Sequence, residues 1–134
     1  MKDVFQDTHR MQQLKKAAEA YFTSLQNQSF SDIPFSEGIV FRAPIAPGGV
    51  HQPLSGKQDV YEQWWKPLEP ALEGVSINLI DHYYNEKLTS IATRADVTLM
   101  GPNLTIRVLD RFVVDEEGLI TEQENHFDAS PLRG

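Results

Sequence analysis

An α+β fold, with helices collected on one face of a curved antiparallel sheet, is predicted by three features of this 134-residue chain. Its first half carries apolar residues at helical spacing. Its second half carries four β-branched and aromatic runs of strand length, and turn residues separate those runs at short intervals. The predicted order is helix, strand, helix, then a four-strand meander. The length allows one domain, spanning 1–134.

In the first element Met11, Leu14, Ala18, Tyr21, Phe22 and Leu25 recur at steps of three and four, with Lys15, Lys16, Glu19 and Gln26 opposite, which predicts an amphipathic helix over residues 5–28. The stretch from Ser29 to Pro34 breaks it, and SEGIVFRA reads as a strand. The Pro- and Gly-rich loop over residues 44–56 is long for a compact domain, which marks it as a lid or pocket rim. KQDVYEQWWKPLEPALEG is a second helix, with Val60, Trp64 and Leu68 on one stripe and Tyr61, Trp65 and Leu72 on the next, kinked or ended near Pro67 and Pro70. VSINLIDHYY, KLTSIATRADVTLM, LTIRVLDRFVV and LITEQENHFD are the four strands of the meander.

Composition excludes several functions. Lys and Arg number 12 against 19 Asp and Glu, a net charge of −7, so a nucleic acid or an anionic membrane would be repelled. The absence of cysteine removes disulfides, thiolate metal sites and thiol catalysis. No apolar run is long enough to span a bilayer, and the polar start lacks the apolar stretch of a secretory signal. The expectation is a soluble, cytoplasmic protein. His51, His82 and His126 lack ligand spacing and no phosphate-cradling Gly loop occurs, so neither metal nor cofactor is assigned.

Strand register brings the chemistry together. If Met100 pairs with Leu104 around a three-residue loop, Arg94 lies opposite Asp110; if Val114 pairs with Leu119, Asp110 lies opposite Gln123. One face then carries Arg94, Asp96, Val108, Asp110, Phe112, Gln123, Asn125 and Phe127. The other carries the more charged set, so the first is expected to face Tyr21, Phe22 and Trp64 on the helices. A carboxylate there must be paired or hold its proton to higher pH, because desolvation opposes its charge. Two readings follow: a structural ion-pair network of Arg94, Asp96 and Asp110, or an acid and a base sharing one pocket.

On these residues the chain resembles the nuclear transport factor 2-like (cystatin-like) superfamily, in its SnoaL-like branch. The resemblance implies a cone: a strongly curved sheet wrapped over helices, a pocket between them, and a homodimer through the outer face of the sheet. VLDRFVVDEEGLI is similar to the strand-turn-strand of ketosteroid isomerases, which implies that Asp110 is a protonated oxyanion donor, with Tyr21 of AEAYFTSL as its partner. That family's general base falls near Ala43. ATRADV is similar to the Arg-x-Asp pair of limonene-epoxide hydrolase, which implies proton donation by Asp96, oriented by Arg94; its water-activating Asp falls on Asn125. The function implied is binding of a small, mostly apolar organic molecule with cofactor-free isomerase, cyclase or hydrolase chemistry, in which Asp96, oriented by Arg94, is the base or proton shuttle and Asp110 and Tyr21 donate hydrogen bonds to a developing oxyanion. Phe22, Leu25, Phe41, Trp64, Val108, Phe112, Asn125 and Phe127 shape the pocket. A binding or dimerisation module with a degenerate site is the alternative.

Overall fold

The computed structural model describes residues 4–133. Helix α1 (Val4–Gln26) buries Leu14, Ala17, Ala18, Tyr21, Phe22 and Leu25 along one stripe, whereas Met11, one turn earlier, stays exposed. After a short turn the chain enters β1 (Phe35–Arg42), and β2 (Leu54–Ser55) folds back on it, a strand too short to be seen in the sequence. The expected second helix is broken. It is α-helical over Lys57–Val60 and Lys66–Leu68, π-helical over Tyr61–Trp65, and closes as a 3-10 turn over Glu69–Leu72. Pro67 and Pro70 lack the amide hydrogens that a regular helix would need there.

Strands β3 (Ser76–Tyr84), β4 (Ser90–Leu99), β5 (Leu104–Val114) and β6 (Ile120–His126) follow as an antiparallel meander. The sheet order is β2-β1-β6-β5-β4-β3, and β1 runs parallel to β6. Bulges between Leu79 and Asp81 and between Val113 and Val114 add local twist, which helps the open sheet curve around the helices. The fold is thus α+β, an N-terminal helix laid in the concave face of a curved six-stranded sheet.

The register of β4 corrects the sequence reading. The connection is a four-residue turn, Met100 to Asn103, in which Asn103 adopts φ 51°, so Leu99 pairs with Leu104 and Thr93, not Arg94, lies opposite Asp110. Because side chains alternate, that slip of one residue turns the whole strand over. Thr93, Ala95, Val97 and Leu99 share the concave face with Ile106, Val108, Asp110 and Phe112, while Arg94 and Asp96 lie on the convex face opposite Leu109 and Arg107. On the other side of β5, Asp110 pairs with Asn125 and Phe112 with Gln123, which keeps the expected face but shifts the partners by two.

Candidate functional site

Between α1, the broken helix and the concave face lies an apolar pocket with about 60 Å³ of free space. Of the residues expected to form it, Tyr21, Phe22, Leu25, Trp64, Val108, Asp110, Asn125 and Phe127 do line it. Phe41 and Phe112 sit one layer behind. Phe41 backs Trp64 at 4.5 Å between ring centres, and Phe112 touches Tyr21 and Phe22 at 5.3 and 6.1 Å. Arg94 and Asp96 are absent from it: they pair with each other at 2.8 Å on the convex face, partly exposed. The expected cluster of Arg94, Asp96 and Asp110 therefore does not form.

Residues missed in the sequence complete the wall. Val97 and Leu99 follow from the true register, Ile106 lies on the face already expected for β5, and Ile45, Leu68, Leu72 and Leu132 come from the long loop, the broken helix and the C-terminal turn. The signal for β4 lay in its own alternation, since Ala95, Val97 and Leu99 are its apolar set.

Four buried polar side chains build the pocket floor: Tyr21, Asp110 and Asn125 line it, and Gln123 backs them. Asn125 Nδ2 donates to the Tyr21 hydroxyl at 3.3 Å, and Gln123 Nε2 donates to Asn125 Oδ1 at 2.8 Å. Because Tyr21 accepts from Asn125, its own hydroxyl hydrogen remains to be given elsewhere. Among the described residues neither Asp110 Oδ1 nor Gln123 Oε1 has a hydrogen-bond partner. Burial pushes the Asp110 carboxyl well above the usual carboxylate range, against the weaker opposing pull of the His126 backbone N–H. Burial, aided by Asp110 and opposed by Asn125 and Gln123, likewise raises the Tyr21 hydroxyl well above its ordinary value. An ionised Asp110 would leave a buried charge whose free oxygen meets no donor; the neutral acid turns that group into a potential donor in the pocket lining.

No carboxylate besides Asp110, and no imidazole, lines this pocket among the described residues. Ala43 is fully buried and apolar. No three His, Asp or Glu side chains are grouped to hold a metal ion among the described residues, and no described helix is long and apolar enough to cross a membrane.

The sequence matches no protein-family model and no curated protein. Solved structures share the fold, which is that of nuclear transport factor 2-like, cystatin-like and SnoaL-like proteins. An epoxide hydrolase/cyclase-like enzyme of pyran ring formation in the polyether salinomycin superposes with a TM-score of 0.69 at 19% identity, over 88% of this chain and 92% of that one. A steroid delta-isomerase from Pseudomonas aeruginosa does so with a TM-score of 0.65 at 16% identity, over 89% and 82%. A Mycobacterium tuberculosis protein in complex with estradiol-17beta-hemisuccinate gives 0.65 at 13%, over 87% and 94%. At such identities the likeness concerns the fold, and function must be argued from the site.

Proposed function

We propose that the cone binds a small, mostly apolar organic molecule with one acceptor oxygen, and that the Tyr21 hydroxyl and the neutral Asp110 carboxyl donate to that oxygen. The observation that carries this reading is the buried carboxyl with an unpartnered oxygen at the floor of an apolar pocket. Donors held in a water-poor site stabilise charge that develops on a carbonyl, ether or epoxide oxygen. The chemistry supported is the acid half of isomerisation, cyclisation or hydrolytic addition, with water or the molecule itself as the base. Asp96 has no part in it. The free space holds one or two waters, well below the several hundred Å³ of a typical ligand pocket, so entry requires Ile45, Leu68 and Leu132 at the rim to move apart. That similar folds hold estradiol-17beta-hemisuccinate and a steroid delta-isomerase activity supports an apolar oxygenated ligand.

The second reading, binding without turnover, is favoured by the alanine at position 43 and the amide at Asn125, neither of which can take a proton. Both readings include assembly into a homodimer through the convex face, where Leu109 and Tyr83 are exposed beside Arg107 and the Arg94–Asp96 pair.

The test uses 2-decalone and the matching hydrocarbon decalin, followed by shifts of the pocket amides in nuclear magnetic resonance spectra. The ketone is expected to bind more tightly than decalin, Tyr21→Phe to weaken it about tenfold as befits one hydrogen bond, and Asp96→Asn to leave it unchanged. Equal binding of ketone and hydrocarbon would overturn the reading. In D2O, exchange of the ketone's α-hydrogens above the buffer rate identifies catalysis, and binding without exchange identifies the module.

A further inference from the structure

Gln123 is fully buried yet does not line the pocket; in the sheet it lies between Phe112 of β5 and Phe41 of β1. Asn125, two residues further on, shares its face of β6 and does line the pocket. These two amides and Tyr21 form one chain of hydrogen bonds with a single direction. Gln123 Nε2 donates to Asn125 Oδ1 at 2.8 Å, and Asn125 Nδ2 donates to the Tyr21 hydroxyl oxygen at 3.3 Å. At the far end Gln123 Oε1 has no partner among the described residues. At the near end the phenol is held by its ring, edge-on to Phe22 at 5.0 Å and to Phe112 at 5.3 Å between ring centres, and stacked on Trp64 at 6.3 Å. The Tyr21 oxygen is therefore fixed, and the direction of its hydrogen is what remains to be set.

We propose that Gln123 is a positioning residue of this site: by occupying Asn125 Oδ1 it holds the Asn125 N–H on the Tyr21 oxygen and leaves the Tyr21 hydrogen for the ligand. This role rests on the proposed function, in which Tyr21 gives a hydrogen bond to the ligand's oxygen. The terminal torsion of an asparagine is roughly two-fold, and hydrogen bonds decide which end of the amide points where. With its oxygen engaged by Gln123, Asn125 offers Tyr21 only an N–H. Turned over, Asn125 would offer its oxygen, and Tyr21 would spend its hydrogen there and present lone pairs to a ligand that has only an acceptor. Donors aligned in one direction also polarise one another, which makes the Tyr21 O–H the stronger donor. Burial and then Asp110 raise the Tyr21 hydroxyl, and hydrogen bonds from Asn125 and Gln123 act against them, the sense expected of groups that donate to its oxygen. An unpartnered oxygen is also a less costly end for a buried chain than an unpartnered N–H.

The experiment measures 2-decalone and decalin binding to the unaltered protein, Gln123→Met, Tyr21→Phe and the double variant. Methionine keeps the length of glutamine without its amide. Gln123→Met is expected to weaken the ketone about fivefold, to leave decalin unchanged, and to add nothing once Tyr21 is phenylalanine. The carbonyl stretch of bound 2-decalone should move to higher frequency in Gln123→Met, because the Tyr21 donor is lost to it. A packing role alone would weaken both ligands, with or without the Tyr21 hydroxyl; that result, or an unchanged ketone affinity, overturns the positioning role. If Gln123→Met fails to fold, the direction of the chain is read in the unaltered protein from nuclear magnetic resonance couplings across hydrogen bonds. A coupling from Gln123 Nε2 to Asn125 Cγ is expected; its absence, or a coupling from Asn125 Nδ2 to Gln123 Cδ, overturns the role. Equal binding of 2-decalone and decalin to the unaltered protein overturns the donor Tyr21 itself, and the role of Gln123 with it.

Discussion

Asp110 concentrates the tension of this molecule in one carboxyl. An aspartate in the unfolded chain titrates near about 3.9, whereas burial holds the folded carboxyl's proton to higher pH. The unfolded chain therefore releases this proton first. The contribution of Asp110 to stability is full below the unfolded value and is lost as pH rises through the raised folded value. Asp110→Asn removes this dependence, so the stability difference between variant and unaltered protein should move in favour of the variant from pH 4 to pH 8. Urea denaturation across that range checks it; a constant difference would mean that the folded carboxyl ionises as it does in the unfolded chain. The residue types of the floor were legible in the sequence, because Tyr21, Asp110 and Asn125 fall on helix and strand faces that local periodicity defines. The fully buried Gln123 was placed on that face but not recognised as part of the floor, and the His82–Thr93 contact was not legible because it depends on the pairing of two strands.

At the scale of elements, what separates a correct face from an inverted one is a single turn residue. A three-residue hairpin loop is common, and it put Arg94 and Asp96 into the pocket; the four-residue turn with Asn103 at positive φ put them outside. The alternation inside β4 was the better guide, because burying Ala95, Val97 and Leu99 costs far less than burying Arg94 and Asp96. Long-range features such as the parallel β1–β6 pairing and the π-helical turn that buries both Trp64 and Trp65 had no local signature. The same dependence on distant contacts explains Arg10. Its guanidinium donates to Leu88 O at 2.8 Å in the β3–β4 turn and to Asp115 O at 2.8 Å and Val114 O at 2.5 Å at the β5–β6 turn, tying the first turns of α1 to one end of the sheet. Arg10→Ala leaves three carbonyls without this donor and should cost about 2–3 kcal/mol in chemical denaturation, with 2-decalone binding intact at temperatures where the variant is folded. A loss below about 0.5 kcal/mol, the level of an ordinary surface change, would show that water replaces the guanidinium.

The whole molecule presents two faces with different chemistry. The concave face packs on aromatic side chains and encloses the buried polar floor; the convex face mixes Leu109 and Tyr83 with Arg94, Asp96, Arg107, Arg111 and Glu124. If copies associate through the convex face, Leu109→Glu should shift sedimentation from dimer to monomer and leave the pocket unaltered, and an unchanged profile would place the contact elsewhere or remove it. The cone is shared with enzymes and with a ligand-bound protein, so shape alone does not separate these functions, and the protonation of one group at the pocket floor carries the account. That group can be watched directly by following the side-chain carboxyl carbon of Asp110 in 13C spectra from pH 3 to pH 9, assigned by its absence in Asp110→Asn. The expected result is the shift of a neutral carboxylic acid at pH 7, and a midpoint near pH 4 would contradict the neutral Asp110 on which the proposed function rests.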